Sequence, residues 1–218
     1  MSSFFLTSIA SRATINDVRS VQRASRPSAV ELRELLDRAR LRDGSAIQEL
    51  FRGHLVGVHR IVYRLVGPGP DVEDLVQIVF VEAFQSLSSF RGDSLFATWL
   101  ARIAVRVTMR ALKRRPPRAI PLDGAADLCT TAPGPERQVA AREGLAALMG
   151  LLAELRPKRR MAFVLHVLEG YAIDDVASIL DASPAAVKVR IHDARRYIEA
   201  RVMRDPGLAE LFSKRADT

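Results

Sequence analysis

The chain has 218 residues, with 33 Lys and Arg against 25 Asp and Glu, a net charge of +8 and a pI near 10.5. That surplus suits a nucleic acid or another anionic surface, and a hydrophobic share of 48% allows a buried core in one large or two small domains. The lone cysteine, Cys129, excludes an intrachain disulfide framework and a cysteine-based zinc site, while the early apolar run FFLTSIA is too short to span a bilayer and lacks the basic region that opens a signal peptide.

Residues 1–28 carry Arg12, Arg19, Arg23 and Arg26 among many Ser and Ala, and are expected to form a flexible basic leader. From Ala29 to Arg115 helix-period patterns run between breaks at Asp43-Gly44, Gly67-Pro68-Gly69-Pro70 and Arg91-Gly92-Asp93. Strand-like alternation is scarce. Residues 116–136 hold Pro116, Pro117, Pro121, Pro133 and Pro135 with Gly124 and Gly134, the composition of an extended, flexible linker. Helical patterns resume over 137–203, and residues 204–218 form a tail. The expected fold is all-α: two helical domains joined by a linker.

The stretch DVEDLVQIVFVEAF occupies residues 71–84 and places Asp71, Glu73 and Asp74 together. In a helix, Val76, Val79, Phe80, Ala83 and Leu87 form the core-facing stripe. Asp71 and Glu73 fall in the first turn, where acids complement the helix dipole. Asp74, Ile78, Val81 and Gln85 share the outward face, with Gln77 at its edge. An acidic and aliphatic mixture there suits docking to another protein, although two stray aliphatics are also ordinary surface composition.

The following helix, from near Leu95, buries Phe96, Leu100, Ile103 and Val107. Arg102, Arg106, Arg110 and Arg114 recur at i+4, and each step turns by only about 40°, so they form one drifting ridge that Lys113 and Arg115 extend. No Asp or Glu interrupts residues 95–120. Like charges at that spacing repel by a few tenths of a kcal/mol, which phosphates would relieve. Near the C-terminus, Ile173, Val176, Ala177 and Leu180 make a short amphipathic helix. Asp181-Ala182-Ser183 makes a turn, with Ser183 as N-cap and Pro184 at the first helical position. Val187, Ile191, Ala194 and Ile198 line the buried side of a longer helix, leaving Lys188, Arg190, His192, Arg195 and Arg196 outside. A short helix, a turn and a basic helix is a helix-turn-helix, which sets its second helix in a major groove.

Both halves resemble one family. DVEDLVQIVFVEAF followed by SFRGDSLFATWLARIA is similar to region two of extracytoplasmic-function (ECF) sigma factors, small members of the principal bacterial sigma factor family. LAELRPKRRMAFVLHVLEGYAIDDVASIL with SPAAVKVRIHDARR is similar to their region four. The resemblance covers about residues 29–203, in the family's order and spacing. It implies a promoter-specificity subunit that binds core RNA polymerase through the β′ clamp and β flap and directs it to promoter DNA. Asp74, Gln77, Ile78 and Val81 would then meet the clamp. The loop Phe90 to Phe96, with Phe90, Arg91 and Asp93, would hold a base flipped from the −10 element. Trp99, Arg102, Arg106, Arg110, Lys113 and Arg114 would run along −10 DNA. Ser183, Ala185, Ala186, Lys188, Arg190, His192, Arg195 and Arg196 would engage the −35 element. Members of that family are often held by an anti-sigma factor, a partner whose existence this sequence leaves open, and the expected location is the cytoplasm without membrane insertion.

The chain departs from the family's usual pattern in places. Ile78 stands where Glu is usual, Arg106 and Arg110 where Asn and Asp are usual, Val189 for Ser and Asp193 for a basic residue. The general role carries over, but a promoter sequence does not. The four histidines, His54, His59, His166 and His192, are scattered, and no phosphate-cradling Gly-rich loop or nucleophile elbow is present. No catalytic residue, cofactor or metal is therefore expected. Two rival readings stay open on sequence: a stand-alone helix-turn-helix regulator, and a degenerate family member that binds core polymerase and blocks it.

Overall fold

The computed structural model describes residues 29–69, 71–114 and 135–213, and no strand occurs among them. The leader, Arg115, the linker as far as residue 134 (with Cys129) and the last five residues lie outside the described residues. Helices α1 (Ala29–Arg40), α2 (Gly44–Arg52), α3 (Leu55–Val66), α4 (Asp71–Gln85) and α5 (Phe96–Arg114) make up the first module. Helices α6 (Pro135–Glu154), α7 (Pro157–Phe163), α8 (Ile173–Leu180), α9 (Pro184–Arg204) and α10 (Pro206–Ser213) make up the second.

The breakers act as the sequence suggests. Asp43 caps α2 by accepting from the backbone N–H of Ser45 at 2.9 Å and of Ala46 at 3.3 Å. Hydrogen bonds from the Ser45 hydroxyl and the Arg38 guanidinium hold its carboxyl well below the usual range. Gly67 ends α3 at φ 83°, a left-handed conformation that disfavours side chains. Asp71, Glu73 and Asp74 open α4 in its first turn. The tail contains more order than its composition announces. Its residues 206–213 form α10, where Leu208 and Ala209 pack half-buried against the core.

Core positions follow helical phase. Val76, Val79, Ala83 and Leu87 on one side, and Phe96, Leu100, Ile103 and Val107 on the other, are buried where α4 and α5 pack. Val187, Ile191, Ala194 and Ile198 bury one face of α9 against α7 and α8. The two modules share one contiguous hydrophobic cluster.

Between the modules lies a polar seam. The end of α7 widens into a π-helical turn, Val164–Leu168, with Glu169 N–H donating to Val164 O at 2.9 Å. This turn delivers the Glu169 carboxylate, only 2% exposed, to Arg60 and Arg64 of α3, each 13% exposed. Arg60 donates from Nε and Nη2 at 3.0 and 2.7 Å to Oε2, and Arg64 from Nη1 at 2.5 Å to Oε1. Arg64 also donates to Leu168 O at 3.0 Å. Burial lowers its pKa and Glu169 opposes that shift. From the other side Arg160 of α7 reaches Leu65 O at 2.8 Å, which places a cation on the C-terminal end of α3.

Candidate protein and nucleic-acid interfaces

The outward face of α4 is the first candidate surface. Asp74, Gln77, Ile78, Val81 and Gln85 are all exposed, as phase requires, and Phe84 joins them. Ile78 at 44% and Val81 at 53% are large aliphatics left in water beside a carboxylate. The part left in water is an apolar patch worth burying against a partner. Glu73 takes a different position, 3.6 Å from His59 of α3. The three acids of DVED therefore do not converge, and no group of three or more His, Cys, Asp or Glu among the described residues is placed to hold a metal.

The loop between α4 and α5 stands on an aromatic base. Phe90 packs edge-on to Phe96 with centroids 5.3 Å apart, and lies 5.4 Å from Trp99. Arg40 of α1 anchors the loop by donating to Phe90 O at 2.6 Å. Phe90 is only 5% exposed, so in the unbound chain it braces the loop from beneath. The far end of the expected loop is closed in the same way, because Phe96 is 2% exposed. The reachable residues are Arg91, Gly92, Asp93, Ser94 and Leu95. Gly92, at φ 85°, makes the turn that presents them. Trp99 is half-buried beneath them.

Along α5, Arg102, Arg106, Arg110, Lys113 and Arg114 are exposed, as the i+4 ridge requires. The ridge is nevertheless not free of acids, because a neighbouring helix supplies one. Glu82 of α4 accepts from Arg106 at 3.2 Å and also pairs with Arg110. Arg102 is committed elsewhere: it donates to Ser178 O of α8 at 2.9 Å and to the Ser178 hydroxyl. Glu82 and Ser178 carry no local signal in sequence, since they meet the ridge only through tertiary packing.

The helix-turn-helix forms from α8 and α9. Asp181 takes the left-handed conformation at φ 48° that ends α8. Ser183 accepts from Ala186 N–H at 3.2 Å, and Pro184 starts α9. Ser183, Ala185, Lys188, His192, Arg195 and Arg196 are exposed, while Ala186 and Arg190 are half-buried. Two departures acquire a physical setting. Asp193 pairs with Arg159 of α7 at 2.8 Å, so it fastens the helix. Val189 is exposed on the outer side. Near the C-terminal end of α9, Arg201 and Tyr197 donate to Glu154 of α6 at 2.8 and 2.7 Å.

Comparison with known proteins agrees with this architecture. The sigma-70 region 2 family profile matches residues 50–116, and the sigma-70 region 4 profile matches residues 145–198. The chain is similar to the ECF RNA polymerase sigma-E factor of Escherichia coli (strain K12), with 33% identity over 177 residues, 77% of this chain and 92% of that protein. The sigma-E factor of Haemophilus influenzae is 32% identical over 177 residues, 77% of this chain and 93% of that protein. Among solved structures, CnrH in complex with the cytosolic domain of CnrY matches with TM-score 0.62 and 27% identity, over 79% of this chain and 97% of that one. With an exposed acidic and aliphatic face on α4, a basic α5 and a helix-turn-helix in α8 and α9, the chain belongs to the ECF type of the sigma-70 family and is an RNA polymerase sigma factor, a partner of core polymerase and promoter DNA.

Proposed function

We propose the following division of labour within that role. The α4 face, with Asp74, Gln77, Ile78 and Val81, docks on the β′ clamp of core polymerase, and Phe84 widens the patch. The second module meets the β flap. Residues 91–95 receive a base unstacked from the −10 element, and Arg106, Arg110, Lys113 and Arg114 follow the adjoining phosphates. In the major groove of the −35 element, α9 presents Lys188, Arg190, Arg195 and Arg196 to phosphates or base edges. Ser183, Ala185, Ala186 and His192 flank them. Val189 adds an apolar contact of the kind that a thymine methyl accepts.

The chain itself catalyses nothing in this reading, and the chemistry belongs to the polymerase. Its place of work is the cytoplasm, and no helix among the described residues is long and apolar enough to cross a membrane. A protein that binds and withholds the factor, an anti-sigma partner, completes the proposal. Its support is that CnrH, whose fold this chain shares, was solved with the cytosolic domain of CnrY.

The observation that carries the docking assignment is the exposure of Ile78 and Val81 beside Asp74. Asp74→Arg tests it by inverting the charge at the centre of the face without touching the core. Gel filtration with core polymerase should show at least a tenfold loss of association, with helix content unchanged. Wild-type association by that variant would remove α4 from the interface.

A further inference from the structure

Leu95 is the only large apolar side chain in the exposed run 91–95, and it is 60% exposed. Single exposed leucines are ordinary on a protein surface. Two observations separate this one from that background. Its backbone is held from both ends of the loop. Trp99 N–H donates to Leu95 O at 3.1 Å, so the first hydrogen bond of α5 fixes Leu95, and Arg40 holds Phe90 O at 2.6 Å. Gly92 turns the chain between these two ties. The apolar slot next to Leu95 is also occupied already. Phe90, Phe96 and Trp99 fill it, with ring centroids 5.3 to 5.4 Å apart.

Charge names the occupant of such an apolar tip. Residues 91–114 carry six Lys and Arg against one carboxylate, Asp93. Glu82 of α4 offsets part of that charge at Arg106 and Arg110, and Arg91, Lys113 and Arg114 remain exposed beside it. A leucine projecting from a cationic surface complements duplex DNA. The phosphates meet the cations, and the stacked base pairs offer apolar faces to the side chain.

We infer that Leu95 is a wedge: its side chain enters the −10 duplex at the step next to the base that the loop receives, and fills the space that base leaves in the stack. This rests on the reading that the loop takes an unstacked base. Unstacking exposes apolar base faces to water. A leucine pushed between them offsets part of that loss by leaving water itself. A wedge must not yield when the stack closes on it, and the two backbone ties and the filled slot supply that resistance. Arg91, Asp93 and Ser94 are polar, and their work is to hold a base that is already out. Leu95 acts on the opening of an intact duplex and contributes little to DNA that is open beforehand.

The test uses core polymerase carrying the full chain, with a promoter fragment whose RNA start depends on the chain. The fragment is prepared as an intact duplex and with its −10 segment mismatched. The adenine analogue 2-aminopurine in the −10 element reports opening of the intact duplex by its fluorescence. Leu95→Ser should lower the equilibrium constant for that opening about tenfold or more, and change affinity for the mismatched fragment by less than about threefold. Leu95→Met, apolar and of similar size, should restore opening, whereas Leu95→Asn, of similar size but polar, should not. Circular dichroism checks that each variant keeps its helices, which the exposure of Leu95 favours. Equal losses on the two fragments overturn the wedge and make Leu95 a wall of the base pocket. Opening at the wild-type level by Leu95→Ser or Leu95→Asn overturns it too. Both results leave the reading of the loop intact. That reading has its own arm: Arg91→Ala, Asp93→Ala and Ser94→Ala together should weaken binding of the mismatched fragment. Wild-type binding of that fragment by the triple variant contradicts capture of a base by the loop, and the wedge with it.

Discussion

Glu82 and Glu169 each hold two arginines, in surroundings that could hardly differ more. Glu169 is 2% exposed and its partners 13%, so water does not compete for the contact. Glu82 is 21% exposed, and its partners Arg106 and Arg110 are 57% and 50% exposed, so water and salt do compete. A buried pair that loses one member strands a charge, whereas an exposed pair exchanges protein for solvent at little net effect. The same chemistry therefore serves conformation in the seam and electrostatics on α5, the helix proposed to follow DNA. At Glu82 the carboxylate lowers the net positive charge that α5 would present to a phosphate.

Stability gives the largest contrast. Glu169→Ala should lower the unfolding free energy by about 3–5 kcal/mol, read by urea denaturation. Glu82→Ala should change it by less than about 1 kcal/mol. Equal losses would break the comparison. Next comes salt. Arg106→Ala with Arg110→Ala should flatten the slope of log K against log salt, for promoter binding by the holoenzyme, by about two. An unchanged slope would move the DNA path off this part of α5. Glu82→Gln should steepen the same slope by about one while leaving the urea midpoint in place. If instead the slope flattened, Glu82 would be holding the arginines in a geometry that DNA needs, and its role would be positioning rather than neutralisation.

How far these features were legible depends on how local their causes are. The turn and cap at Ser183-Pro184 lie within a few residues of each other, and so does the phase that exposes Asp74, Ile78 and Val81. Periodicity and cap chemistry suffice for both. The arginine ridge was legible as a ridge, since its i+4 spacing is local. Its partners were not, because Glu82 lies 24 residues from Arg106 and 28 from Arg110. Glu169 lies 109 residues from Arg60, and nothing near it in sequence marks it out from other exposed-looking acids. The burial of Phe90 was hidden for a related reason. A loop aromatic two residues before a turn glycine carries no local burial signal, and only packing against Phe96 and Trp99 buries it. The departure at Asp193 became intelligible once Arg159 stood beside it.

The smallest expected effect concerns acid. Arg201 and then Tyr197 hold the Glu154 carboxyl below its ordinary value of 4.5, while the same contact raises the Tyr197 hydroxyl. A depressed folded value stabilises the protein above the ordinary value, and this is lost as pH falls through the folded one. The pair is partly exposed, so the effect should stay under about 1 kcal/mol. Urea midpoints of wild type and Glu154→Gln should differ at neutral pH and converge in acid. A constant gap would show that the contact acts through packing.

The most direct measurement is the mapping of RNA 5′ ends made by core polymerase on the genomic DNA of the source bacterium, with and without the purified chain. Wild type should yield a set of starts absent from core polymerase alone, preceded by a shared pair of elements, and Asp74→Arg should lose that set. No chain-dependent start, or a set that survives Asp74→Arg unchanged, would contradict a sigma factor that docks through α4.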